Sequence, residues 1–305
     1  MKRNLFLYQL IVVCLFVSVF ACSKSVNSIN KPPTQNTNHD STPAVVQHKA
    51  DSQAVQNVPY PQAPVTGCSY APDYGDSIIY MQPTNGPDYT VKPVNNPGSG
   101  KYFSWPGGMV IDSLSGAINV TKSQTGQRYD IGFVKTGTTD TCLKSLIIAG
   151  AAYMDSVYVL ANNEKLALPY FNANPYLLSV CTGNGPGCQF ASNNAKVIVN
   201  PLTGVIDLQQ TLDGTGGILN LGGAFGLLPL DGSQATTTIY YRLNDPSNNA
   251  LQHIDVTFMY YTYKSQIGQG LLTNLLTKLT NVLTGNLISK SGNPRPPVII
   301  ITRYN

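Results

Sequence analysis

The chain has 305 residues, only 11 % of them charged, and its formal net charge is +4. The basic residues are dispersed, with no stripe interleaved with aromatics, which excludes nucleic acid as the expected partner. Its 27 Gly, 21 Pro and 18 Tyr give the composition of an extracellular all-β protein with short strands and many turns.

The first element, residues 1–21, reads as an export signal. Lys2 and Arg3 open it, and Leu5 to Phe20 is apolar apart from Gln9 and Ser18. That run falls short of the about 20 apolar residues a spanning helix needs. It closes on Val19-Phe-Ala-Cys22. The ending resembles a bacterial lipobox, which implies that Cys22 carries the lipid and that the protein sits in the cell envelope. The outer membrane is the expected location, with its periplasmic and surface faces both left open. Residues 22–67 follow as a tether rich in Ser, Asn, Gln, Thr and Pro, which cannot bury enough apolar surface to offset its conformational entropy. His39 and His48 lie there as solvated linker residues.

Four cysteines remain beyond the signal and lipid site: Cys68, Cys142, Cys181 and Cys188. An even number in an exported chain points to disulfides, with three connectivities open. The glycine-rich loop from Cys181 to Cys188 can close on itself, and Cys68 then pairs with Cys142. A zinc site would want a CxxC pair and a nearby His, and the sequence has neither.

From Cys68 the sequence repeats itself. Met109-Val-Ile-Asp-Ser-Leu-Ser-Gly-Ala-Ile-Asn-Val120 returns as Val197-Ile-Val-Asn-Pro-Leu-Thr-Gly-Val-Ile-Asp-Leu208, placing Asp112 on Asn200 and Gly116 on Gly204. Ahead of these, Tyr74-Gly-Asp-Ser-Ile matches Tyr153-Met-Asp-Ser-Val. Two matches in the same order predict a tandem β module, residues 68–151 and 152–305. In the first, strands are expected at 77–81, 89–94, 102–104, 110–112, 117–120, 128–135 and 142–149. The alternation of Tyr129, Ile131 and Phe133 with Asp130, Gly132 and Val134 marks a half-buried strand. In the second, 237–243 and 253–263 form the last hairpin. Leu271, Leu272, Leu275, Leu276, Leu279, Val282 and Leu283 then recur at helical spacing, giving an amphipathic helix near 269–284 that packs across an open end of the second sandwich. Val298–Tyr304 is a terminal strand.

The phrases Ser104-Trp-Pro-Gly-Gly-Met-Val-Ile-Asp-Ser-Leu-Ser-Gly-Ala-Ile-Asn119 and Val199-Asn-Pro-Leu-Thr-Gly-Val-Ile-Asp207 resemble the cadherin-like and immunoglobulin-like modules of bacterial surface proteins. The whole chain is also similar to lipoproteins of the Bacteroidetes type. The resemblance implies two tandem antiparallel immunoglobulin-like β-sandwiches. It leaves calcium open as a ligand, although the acidic linker motifs of true cadherins are missing. Asp112, Asp140, Asp155 and Asp207 are isolated in sequence and suit turn and cap roles.

Catalytic signals are sparse. His253, the one histidine of the folded part, opens a strand, and the chain's one glutamate is Glu164. No Gly-x-Ser-x-Gly elbow is present, and Gly214 to Gly217 and Gly222 to Gly226 lack the Lys-Ser/Thr of a phosphate loop. The reading is a non-catalytic protein for adhesion or for capture of a glycan or an envelope protein. A structural spacer is the alternative, and a secreted hydrolase follows it. The candidate binding rings are Tyr102, Trp105, Tyr170, Phe171 and Tyr176, near predicted strand ends where amphipathic rings suit stacking. Trp105 serves equally as a core residue.

Overall fold

A computed structural model describes residues 68–181, 187–214, 223–226, 229–283 and 296–305. The export signal, Cys22 and the tether lie outside these residues. In the first half the strands are β1 (Ile78–Ile79), β2 (Thr90–Val91), β3 (Gly100–Trp105), β4 (Val110–Ile111), β5 (Ile118–Asn119), β6 (Gln127–Lys135) and β7 (Thr141–Ile148). They form a four-stranded sheet in the order β1-β7-β6-β3 and a small one in the order β2-β5-β4. Between them, Tyr129, Ile131 and Phe133 from β6 meet Ile111, Ile118 and Val120 in one apolar core, so the period-2 pattern faces inward as expected. Gly137 at φ +85° turns β6 into β7.

The second half follows the same plan. Its strands are β8 (Ala151–Tyr153), β9 (Ser156–Val159), β10 (Leu166–Ala167), β11 (Pro169–Phe171), β12 (Gln189–Ser192), β13 (Ile198–Val199), β14 (Ile206–Asp207), β15 (Gln234–Arg242), β16 (Gln252–Tyr263) and β17 (Val298–Tyr304). Two α-helices interrupt them, α1 (Leu208–Asp213) and α2 (Gln269–Leu283). The small sheet β10-β14-β13 repeats β2-β5-β4, and the large sheet runs β12-β15-β16-β17-β9. The chain is therefore mostly β with two short helices.

The repeat is legible down to single hydrogen bonds. Asp112 Oδ1 accepts from the amides of Leu114 and Ser115, as Asn200 Oδ1 accepts from those of Leu202 and Thr203. The amides of Gly116 and Gly204 return to the carbonyls of Asp112 and Asn200, both at 2.9 Å. Each glycine has positive φ and abuts a ring, Tyr102 for Gly116 and Phe190 for Gly204. A Cβ at either position would lie 2.7 Å from that ring.

Besides the two helices and the separate β8–β11 pair, one difference in strand order separates the halves. In the first, β1 pairs directly with β7; in the second, β17 lies between β9 and β16. All three of these contacts are parallel, so the expectation of purely antiparallel sheets is corrected to mixed ones. A strand reached by a long excursion is free of hairpin geometry and can run either way. Its place in the sheet explains the unbroken apolar run Val298-Ile-Ile-Ile301, which is covered on both faces. Ile299 and Ile301 enter the second core beside Phe258 and Tyr260. Ile300 faces the other way and packs with Met259, Tyr261, Leu275 and Ile267. Helix α2 thus covers the outer face of the large sheet, where a cap on an open end was expected. The reason is the row of apolar residues that Val157, Met259 and Ile300 place on that face. Among the described residues no helix is long and apolar enough to cross a membrane.

All described residues fall in one compact unit, Lys49–Asn305, and polar contacts join its halves. The Gln124 amide meets Asp255 twice, donating to Oδ2 at 3.1 Å and accepting from the backbone amide at 3.0 Å. Thr125 Oγ1 donates to the His253 carbonyl at 2.8 Å and also meets the Tyr241 hydroxyl. Burial holds the Tyr241 and Tyr153 hydroxyls protonated, well above the usual tyrosine range. Disulfides join Cys68 to Cys142, with Cα atoms 5.6 Å apart, and Cys181 to Cys188, 5.1 Å apart.

Candidate functional site

Four of the five rings suggested by the sequence lie inside the protein. Tyr102 packs in the first core against Phe133, their centroids 4.7 Å apart. Tyr170 and Phe171, on β11, belong to the second core. Trp105 is 5 % exposed. It turns from Tyr102 to the opposite face of β3, edge-on to Phe103 at 4.7 Å, in room left by the missing side chain of Gly132. These rings contribute packing and have no open face to offer. Tyr176, 73 % exposed, is the one at a loop surface.

The fold presents a second aromatic feature that the strand-end argument missed. Tyr263 and Tyr304 face each other across β16 and β17, with ring centroids 5.4 Å apart and planes at 34°. Both are about half exposed, 47 % and 50 %. Because β16, β17 and β9 run parallel, the residues that end them gather at one pole. Asn305 reaches Asn162, beyond β9, at 3.1 Å. Gln266 accepts from the Tyr263 amide at 2.7 Å and donates to Asp231. The Thr262 amide also bonds Asp231, at 2.6 Å. Two tyrosines with fixed backbones therefore stand beside amide and carboxylate groups. Period-2 reading from Phe258 and Tyr260 places Tyr261 and Tyr263 on one face, but only the course of α2 shows which of the two is left uncovered.

The loop carrying Tyr176 is also held at its base. Asn172 and Ala173 adopt the left-handed region, φ 51° and 53°. Asn172 is fixed there by Gly150, whose carbonyl accepts its amide at 2.8 Å and whose amide donates to its Oδ1 at 2.9 Å. Asn174 then organises the turn, its Oδ1 accepting from the Tyr176 amide at 3.0 Å.

The isolated acidic residues act locally. Asp112 caps its turn, and the Ser115 amide and hydroxyl, then the Leu114 amide, hold its carboxyl below the usual carboxylate range. Asp207 caps α1 by accepting from the Gln210 amide at 2.8 Å. Asp155 accepts from the Val298 amide at 2.6 Å. Asp140 lies in the exposed turn between β6 and β7. Among the described residues no three His, Cys, Asp or Glu side chains come together as a metal group. His253 lies opposite Tyr240 on β15, their rings 6.2 Å apart.

No family model matches the chain, and no curated protein matches it. Among solved structures it is similar to the crystal structure of human protocadherin-24 EC1-2, at 6 % identity, over 62 % of this chain and 97 % of that one. The TM-score is 0.21, a weak cadherin-like likeness that carries no argument about this protein.

Proposed function

We propose that the chain is a non-catalytic, lipid-anchored protein of the cell envelope, built of tandem immunoglobulin-like sandwich modules, that captures a glycan at Tyr263 and Tyr304. The observation that carries the reading is the half-exposed tyrosine pair on two hydrogen-bonded strands. Pyranose rings present flat C–H faces that stack on aromatic rings, while their hydroxyls take hydrogen bonds from neighbouring amides. The backbones of both strands are fixed by the sheet, so little ordering opposes binding. The test is a panel of polysaccharides and glycans presented to the mature chain, to Tyr263→Ala and to Tyr304→Ala. Saturable binding lost in both variants supports capture at this pair. Binding that survives both substitutions moves the site elsewhere.

A rigid spacer is the second reading. The paired Gln124–Asp255 hydrogen bonds and the Thr125 contacts favour it, because they brace one repeat against the other. A chain that binds nothing on the panel, and whose halves hold one fixed orientation in solution scattering, would favour the spacer.

A further inference from the structure

Tyr176, Leu177 and Leu178 are consecutive, apolar and exposed, with Leu178 at 86 %. A folded protein gains nothing in its own stability from three large apolar side chains held in water. The loop that carries them is nevertheless firmly built. Its entry is fixed by the left-handed pair Asn172 and Ala173, and its exit by the Cys181–Cys188 disulfide. Backbone strain of this kind persists only where the surroundings impose it, and it gathers at working sites. The stretch from Leu166 to Ala195, between Lys165 and Lys196, contains no charged residue at all. A loop tip free of charge can leave water without stranding an ion.

We propose that this tip dips into the surface of the membrane that anchors the chain, with Leu177 and Leu178 among the acyl chains and Tyr176 at the headgroups. Tyrosine favours that interfacial level because its ring is apolar and its hydroxyl polar. The membrane is the occupant within reach. Cys68 lies 46 positions after Cys22, and a coil of that length spans about 37 Å root-mean-square. The inference takes from the lipid-anchor reading only this proximity. The anchor supplies the attachment, and the loop supplies an orientation.

The test keeps the two ideas apart. Residues 23–305 carry a hexahistidine tag ahead of Ser23 and are held on phosphatidylethanolamine–phosphatidylglycerol vesicles by a nickel-chelating lipid, so acylation of Cys22 plays no part. Leu178→Trp adds a reporter, read as the difference from the unsubstituted chain with its buried Trp105. Leu114→Trp, at a hairpin position 73 % exposed in the first repeat, serves as the control. The expected result is a blue-shifted emission for Leu178→Trp that brominated acyl chains quench about twofold, with no change for Leu114→Trp. An unshifted, unquenched Leu178→Trp emission on vesicles overturns the proposal and leaves a protein partner for the tip. Equal quenching of both reporters also overturns it, because contact would then be unspecific. Acylation is checked separately, by the mass of the mature chain with and without Cys22→Ser.

Discussion

The Tyr74 hydroxyl donates to the carbonyl of Gly116, 42 residues away, at 2.7 Å. Tyr153 does the same for Gly204 at 2.5 Å, so each repeat ties its entry segment to its hairpin turn by one buried bond. Burial comes first in raising both hydroxyls well above the usual tyrosine range, which keeps them donors at any working pH. Tyr74→Phe and Tyr153→Phe each leave a carbonyl without its partner, and each should cost about 1.5 kcal/mol. Urea midpoints of the two variants test this. Equal, negligible losses would show that the matched bonds are incidental.

Asn200 performs in the second repeat the turn-capping work of Asp112 in the first, which makes Asp112→Asn a conservative change. It should keep the urea midpoint near neutral pH within about 0.5 kcal/mol, and Asp112→Ala should lose about 1 kcal/mol or less. The pH dependence separates the two chemistries. The Asp112 carboxyl sits lower in the folded chain than in the unfolded one. Its contribution is therefore complete above the unfolded value and disappears as pH falls through the folded one. Acid titration of stability should show that loss in the natural chain and not in Asp112→Asn.

Glycine is demanded at the hairpins for two reasons at once. Gly116→Ala and Gly204→Ala combine a positive φ with a methyl 2.7 Å from a buried ring, and each should cost about 2–3 kcal/mol. Gly137 has a positive φ but nothing within 4 Å, so Gly137→Ala should cost only about 1 kcal/mol. Thermal or urea unfolding of the three variants gives the ranking. A Gly137→Ala loss as large as the others would contradict the steric account.

The two disulfides close loops of very different length, with separations of 74 and 7 residues. Chain entropy predicts a loss of about 4 kcal/mol for Cys68→Ser with Cys142→Ser, and about 2.5 kcal/mol for Cys181→Ser with Cys188→Ser. Denaturant midpoints of the two double variants provide the comparison. The second pair should also lower the vesicle quenching of Leu178→Trp, since it frees the exit of the loop.

Helix α2 protects an apolar strip on the sheet, and its partners are specific. Ile300→Ala removes a fully buried side chain on a strand covered from both sides and should cost about 3 kcal/mol. Leu276→Ser, at a position 63 % exposed, should be close to neutral. Hydrogen exchange across Gln269 to Leu275 should quicken in Ile300→Ala and stay unchanged in Leu276→Ser.

Local patterns carried much of this fold into the sequence. The long strands β6, β15 and β16 alternate in sequence, and the hairpin turns hold Gly137 or the Asn-Asp-Pro run that follows Leu243. The leucine spacing marked α2, and the matched Asp112 and Asn200 phrases marked the repeat. The position of β17 was not legible, because a parallel contact joins segments with no turn between them to fix the order. Tyr102 is a core residue where a surface ring was expected, and Trp105 takes the core one of its two readings, for a related reason. Strand β3 is covered on both faces, and the clue was Gly132, a glycine inside an alternating strand that leaves room for neighbouring rings. Tyr263 and Tyr304 escaped notice because alternation separates two faces without saying which of them a helix will cover.

A ribosome makes Val298–Tyr304 after every other strand of the sheet in which they lie next to the edge. Any shorter chain that stops after Tyr263 has all it needs for the first core, yet leaves β9 and β16 facing an empty lane. Such a chain would expose the inner faces of Phe258 and Tyr260 and a long unpaired strand edge, which proteases and chaperones recognise. The second sheet thus closes only when a segment made after its other four strands takes its place between β9 and β16.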